Sequence, residues 1–197
     1  TAITFTAVVS TASATGTVSF SDGTSGVTIG SCGLSSGRCS ITVSTLMPGL
    51  HPISARYGGD ALYSGSASSA VNQTVNKLAS STSQTASATT VAYGSPVTLT
   101  ATVTPSAATG TVTFYDGTAG ATVGTCILAS GSCSYVATTL TVGSHTIGAT
   151  YGGDAILLGS NSSTVGVSVS KANSTLLVSS SLNPSGLLNT VRFTAVV

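Results

Sequence analysis

The sequence predicts an all-β chain of tandem two-sheet sandwiches, and three observations carry that prediction. Apolar and polar residues alternate in short runs such as Ile3-Thr4-Phe5-Thr6-Ala7-Val8-Val9, the pattern of a strand with one buried face. Clusters of Gly, Asp and Ser punctuate the runs at intervals of about 8–12 residues, the rhythm of a sandwich. Whole runs also return at an offset of 94 residues: Gly49-Leu50-His51-Pro52-Ile53-Ser54-Ala55-Arg56-Tyr57-Gly58-Gly59-Asp60 recurs as Gly143-Ser144-His145-Thr146-Ile147-Gly148-Ala149-Thr150-Tyr151-Gly152-Gly153-Asp154.

Taken in order, residues 3–9 form the first strand type, which returns at 97–103 and again at 191–197. The chain therefore holds two full periods and ends on the strand type with which it begins. The ends are expected to be either a window cut from a longer periodic polypeptide or those of a protomer made to continue into an identical one. Residues 16–23 and 110–117 read as short strands, each closing on an Asp-Gly turn suited to positive φ. A strand leading into a cysteine follows (27–32 and 121–126), then a Ser/Gly turn, then a second cysteine opening another strand (39–46 and 133–140).

The long strand into the Gly-Gly-Asp turn comes next, and each repeat closes with a strand at 69–77 or 163–171 that ends on Lys77 or Lys171. The Ser/Thr-rich stretches after those lysines, 80–88 and 174–181, read as the first strand of the following domain. The domains expected are 1–77, a repeat lacking its first strand; 78–171, a complete repeat; and 172–197, the first strands of a further one. About seven short strands per unit is the pattern of an immunoglobulin-like sandwich. A period of 94 residues is too long for a solenoid unit. Linkers of a few residues limit bending and predict a semi-rigid rod.

Composition narrows the function. Only 5% of residues are charged and the net charge is +1, which leaves no basic face for a phosphate backbone, so nucleic acid is not an expected partner. Ser and Thr make up roughly a third of the chain, placing hydroxyls on the outer strand faces. Regularly spaced Val, Ile, Phe and Tyr argue against disorder. No apolar run reaches the roughly eighteen residues of a membrane helix, and no charged leader precedes Thr1, so any secretion signal lies outside this stretch.

The succession GTVTFYDG, a hairpin, GSHTIGATYGGD and a Ser-rich final strand resembles the bacterial Ig-like domain repeats found in tandem in very large secreted and cell-surface proteins. The resemblance covers the whole chain and implies an extracellular or cell-surface location and a structural or adhesive role. That family shares no catalytic residues to carry over. The cysteine pairs are a departure from its general pattern and suggest added covalent stabilisation.

Cys32 and Cys39, and 94 residues on Cys126 and Cys133, flank a hairpin turn, a spacing that predicts a disulfide across two adjacent antiparallel strands in an oxidising compartment. Zinc is the rival, but four cysteines in two separate domains do not make one tetrahedral site. His51 and His145 share the parity of Ile53, Ala55, Tyr57 and of Ile147, Ala149, Tyr151, so they read as core-edge residues; catalysis would need a nucleophile and an orienting carboxylate, and the aspartates all read as turn residues. Asp60 and Asp154 read as turn-fixing carboxylates; calcium, which takes six to eight oxygens, has only four carboxylates in the whole chain to draw on.

Tyr57 and Tyr151 are expected in the core with a hydroxyl bonded near the strand end, and Tyr63, Tyr115 and Tyr135 with them offer only a weak sugar platform. Asn72, Asn161 and Asn173 each begin an Asn-x-Ser/Thr sequon, none repeated at 94, and are candidate glycosylation sites. No enzyme and no cofactor is expected. The expected function is a structural segment of a bacterial extracellular fibre, filament or adhesin stalk, its partners being other copies of the repeat or chain, or glycans. The alternatives are a filament subunit joined by donor-strand complementation and a spacer or binding module of a secreted enzyme.

Overall fold

The computed structural model describes residues 2–197, which fold into strands and turns with no helix among them. Two compact units divide the chain: residues up to Ala79 with Asp154–Leu158, and Ser80–Gly153 with Gly159–Val197. The first unit contains β1 (Ile3–Val8), β2 (Thr17–Asp22), β3 (Val27–Gly33), β4 (Arg38–Val43), β5 (Gly49–Tyr57), β6 (Ser66–Ala67) and β7 (Val71–Val75). Strands β1 and β4 make one sheet; the other has the order β3-β2-β5, with β6 and β7 both pairing to β5.

The second unit contains β8 (Ser81–Ala86), β9 (Thr90–Ala92), β10 (Val97–Thr104), β11 (Thr111–Asp116), β12 (Ala121–Ile127), β13 (Ser132–Ala137), β14 (Gly143–Tyr151), β15 (Ser160–Asn161) and β16 (Val165–Ser170). Its sheets run β13-β10-β8 and β12-β11-β14-β16-β9, with β15 on β14. All neighbours are antiparallel except β9 and β16. Two further strands, β17 (Leu177–Ser180) and β18 (Phe193–Val196), pair with each other. The fold is all-β, in tandem immunoglobulin-like sandwiches.

Alternation places the core as expected. In β10 the inward residues Val97, Leu99, Ala101 and Val103 are buried, and across the sandwich so are Val112 and Phe114 of β11 and Ile147, Ala149 and Tyr151 of β14. The outward faces carry hydroxyls in cross-strand register: Thr4 Oγ1 lies 3.2 Å from Thr42 Oγ1, Thr6 Oγ1 2.8 Å from Ser40 Oγ, and Thr100 Oγ1 2.9 Å from Ser134 Oγ. Such opposed hydroxyls are one of the pairings that stabilise a ladder.

Three expectations need correction. The cysteine-bearing strands are not adjacent partners: β3 pairs with β2 and β4 with β1, in different sheets. Their hairpin keeps a single bridge at its tip, Ser35↔Arg38, and Ala129↔Ser132 in the second unit. At that tip Ser36 (φ 53°) and Gly37 (φ 71°), like Ser130 (φ 51°) and Gly131 (φ 75°), are both left-handed, the requirement of a two-residue type I′ turn. Beyond it the arms part to opposite layers. The Asp-Gly pairs are not the left-handed turn positions either. Gly23 and Gly117 donate to Pro52 O and Thr146 O, each at 2.8 Å, and so prolong the ladder; the left-handed residues are Gly26 (φ 68°) and Gly120 (φ 65°), one turn later. Finally, the strands expected at 39–46 and 133–140 end at Val43 and Ala137, because their partners begin at Ile3 and Val97 in the register Ile3↔Val43 and Val97↔Ala137.

Beside the hairpin the Tyr135 ring from β13 lies over Gly124 of β12, where an added Cβ would come within 2.2 Å of Tyr135 Cζ. Gly124→Ala is therefore expected to expel the ring and lower the stability of the second unit by about 1–2 kcal/mol, the cost of overpacking. Gly166→Ala, where a Cβ meets nothing within 4 Å, is the control: in thermal melts it should leave the transition in place.

Candidate functional site

The polar chemistry of each unit gathers at one end of the central strands. In β2 the parity of Val18 and Phe20 continues to Asp22, so the carboxylate turns inward and is buried, as is Asp116 of β11. His51 and His145, on the inward face of β5 and β14, meet them. His51 Nδ1–H donates to Asp22 Oδ2 at 2.8 Å, and His145 Nδ1–H to Asp116 Oδ2 at 2.6 Å. The second ring nitrogen faces another acceptor: His51 Nε2–H donates to Met47 O and His145 Nε2–H to Thr141 O, both at 2.7 Å. Two acceptors on one imidazole need two N–H groups, so each ring is an imidazolium in a buried ion pair.

The carboxylates are further satisfied by backbone amides. Asp22 Oδ1 accepts from Thr24 N at 3.0 Å, and Asp116 Oδ1 from Thr118 N at 3.0 Å and Thr146 N at 3.2 Å. The hydrogen bond from His51, then that from Thr24, holds Asp22 below the usual carboxylate value; the bond to Asp22, then that to Met47 O, raises His51. Burial pushes Asp116 upward but is outweighed by His145 and the amides, so its value is lowered too. His145 is raised, first by Thr141 O and then by Asp116. In this arrangement Nε2, the atom a general base would use, is committed to a carbonyl. What the pair does is tie the end of β2 or β11 to the segment entering β5 or β14.

The cysteines form Cys32–Cys39 and Cys126–Cys133, each with Cα atoms 5.8 Å apart. Since their strands lie in opposite sheets, each disulfide is a clamp between layers. Among the described residues no three His, Cys, Asp or Glu side chains gather to hold a metal ion, and no helix is long and apolar enough to cross a membrane.

The family model of the bacterial Ig-like domain (group 3) matches residues 1–76 and again 84–170. The chain belongs to that family. Among solved structures, the chain is similar to the fibronectin(III)-like modules of Clostridium thermocellum CbhA (18% identity, 86% of this chain and 85% of that one, TM-score 0.36). It is also similar to the D0-D1 domain of intimin (24% identity, 85% and 90%, TM-score 0.34) and to the BSP domain of a biofilm associated protein (18% identity, 88% and 28%, TM-score 0.28). No match was found among curated proteins.

The remaining candidate residues fall on the frame of these Ig-like domains. Asp60 Oδ1 accepts the amides of Leu62 and Tyr63, each at 2.8 Å, and its Oδ2 accepts the Thr15 amide at 2.8 Å; these amides, Thr15 first, hold it far below the ordinary carboxylate range. Asp154 Oδ1 accepts from Ile156 N and Leu157 N at 2.9 and 2.8 Å. The turn needs its glycine as well: Gly59 sits at φ 87°, and a Cβ there would meet Tyr63 O at 2.8 Å. Tyr57 and Tyr151 are buried, and Tyr57 Oη–H donates to Thr15 O at 2.7 Å. Tyr63 Oη lies 2.8 Å from Ser13 Oγ, Tyr115 is exposed and Tyr135 covers Gly124, so the tyrosines do not share one face. Asn72, Asn161 and Asn173 are all exposed. Reading the sequence missed the partners of the histidines, Asp22 and Asp116. The parity of Val18, Phe20 and Asp22 was the signal that could have found them.

Proposed function

We propose that the chain is a structural repeat segment of a bacterial extracellular fibre, filament or adhesin stalk, working as a semi-rigid, disulfide-stabilised rod with no catalytic role. The observation that carries this reading is the recurrence, 94 residues apart, of one internal brace: a sheet-to-sheet disulfide and a buried His–Asp pair. A brace copied with the fold, its ring nitrogens both committed to hydrogen bonds within the sandwich, supports a mechanical role rather than a chemical one. The disulfides fit an oxidising compartment outside the cytoplasm. Strand β7 ends at Val75 and β8 begins at Ser81, and so short a connection restricts bending between neighbours. Low charge and hydroxylated faces suit association with further copies of the repeat, or with glycans carried on Asn72, Asn161 and Asn173.

Single-molecule stretching tests the proposal. Each sandwich is expected to resist as strand ladders loaded in shear. After reduction each unfolding step should lengthen by about 19 Å, the slack released when Cα atoms 5.8 Å apart and seven residues distant in sequence are freed. Uniform low-force unfolding unchanged by reductant would remove the reading.

A further inference from the structure

In each sandwich the chain crosses once from the smaller sheet to the long central strand of the larger one. Residues 44–48 make that crossing from β4 to β5, and residues 138–142 make it from β13 to β14. The adjoining ladders end at Val43 and Ala137 and resume at Gly49 and Gly143. Most side chains of the crossings are exposed; only Leu46, Pro48 and Leu140 are half-buried. One hydrogen bond holds each crossing to its frame. It is the bond from His51 Nε2–H to Met47 O, or from His145 Nε2–H to Thr141 O, both at 2.7 Å. Among the described residues no other hydrogen bond reaches 44–48 or 138–142. A five-residue segment is thus fastened at a single point, and the fastener is a titratable ring.

The surroundings of that ring decide which of its two protons leaves first. Asp22 of β2 and Asp116 of β11 are the charged side chains that face His51 and His145. The cross-strand neighbours on the other side, Gln73 of β7 and Val167 of β16, carry no charge. A carboxylate therefore accepts from Nδ1 and a neutral carbonyl from Nε2. A hydrogen bond to an ion is roughly twice as strong as one between neutral groups, so Nδ1 keeps its proton and Nε2 gives its proton up. The neutral ring then turns a lone pair toward a carbonyl oxygen, two acceptors with no proton between them. Rotating the ring to restore a donor there would strip one from the buried carboxylate, so the carbonyl, on an exposed segment, is the group that withdraws. The bond to Asp22 first, and for His145 the bond to Thr141 O first, raises each histidine above its ordinary value, so the crossings are held below that raised value and released as pH passes through it.

We propose that 44–48 and 138–142 are proton-controlled latches: the doubly protonated imidazole pins each crossing to its sandwich, and loss of the Nε2 proton to a solvent base frees the crossing while the strands on either side stay paired. The strands have their own support. The ladder from Val97↔Ala137 onward and the buried Ile147, Ala149 and Tyr151 make no use of the Nε2 bond, so the opening is local. A histidine proton acting on one loosely held segment is a device that responds to the surroundings without unfolding the domain. The latch does not depend on the rod reading, because it follows from contacts inside one sandwich.

An NMR titration of the full chain between about pH 5 and 10 tests it, since the carbon-bound ring protons report the charge of each imidazole directly. Order parameters of residues 44–47 and 138–142 are expected near about 0.85 at the acid end and below about 0.6 at the alkaline end. Their midpoint should be that of the ring, and the ladder amides of β10, β11 and β14 should keep their protection from exchange. His145→Gln, whose amide has no titrating proton, should make 138–142 indifferent to pH while 44–47 still responds in the same molecule. If that variant does not fold, the wild-type titration decides alone. Crossings that stay ordered once the rings are neutral overturn the proposal, as do rings that hold both protons throughout the range. Loss of ladder protection at the ring's own midpoint overturns it too, because the sandwich would then open as a whole.

Discussion

Asp116→Ala is expected to destabilise the second sandwich by about 3–5 kcal/mol, because it leaves the His145 imidazolium buried without its counter-charge. That is a large share of the roughly 5–15 kcal/mol a domain possesses, so the transition should fall far or vanish in a thermal melt. Asp116→Asn, which keeps the shape and an acceptor, should cost less. The pair also sets the pH response. The folded values of His51 and His145 are raised above 6.5, so their contribution is full below 6.5 and is lost as pH rises through the folded values. Those of Asp22 and Asp116 are lowered below 3.8, so theirs is full above 3.8 and is lost as pH falls through the folded values. Melting temperature should therefore be highest between about pH 4 and 6.5 and decline on the alkaline side. In His51→Gln/His145→Gln that alkaline decline should disappear; a wild-type profile flat from pH 6 to 9 would contradict the imidazolium assignment.

The second large effect is expected from the disulfides. Each closes a loop with a sequence separation of 7, for which the loop-entropy estimate gives about 2.5 kcal/mol. In a domain of this size that corresponds to a fall of roughly 10–20 °C in melting temperature on reduction. Because the bond joins the two sheets, its loss should be felt across the sandwich as a whole. Amide exchange of Cys126→Ser/Cys133→Ser is expected to rise in both layers, in β10 as well as β11. A rise confined to the hairpin would mean that the bond only trims a loop.

Much of this was legible in the sequence. The alternation in residues 97–103 and 145–151 assigned both inward faces correctly, since side chains on a pleated strand alternate whatever the strand pairs with. The offset of 94 found the repeat because insertions are absent between the copies. The partners of the histidines were harder. Asp22 and His51 are 29 residues apart, and an aspartate ahead of a glycine reads locally as a turn; only its parity with Val18 and Phe20 says that it points inward. The layer-crossing disulfide was hidden for a related reason. Seven residues of separation fit a flat hairpin and a parting one equally well, and the choice is made by β1 and β2, which draw β4 and β3 into opposite sheets. The Thr15 amide on Asp60, 45 residues away, is likewise a product of the sandwich closing.

The opposed hydroxyls on the outer faces have one more consequence. Pairs such as Thr6 with Ser40 and Thr100 with Ser134 hold the ladders together without charge, while two of the four carboxylates in the chain are sealed inside with their histidines. Dissolved ions weaken attractions between exposed charges and reach buried ones far less. The ladders are therefore expected to respond little to the screening of charge, so that melting temperatures in dilute buffer and in moderate sodium chloride should lie close together.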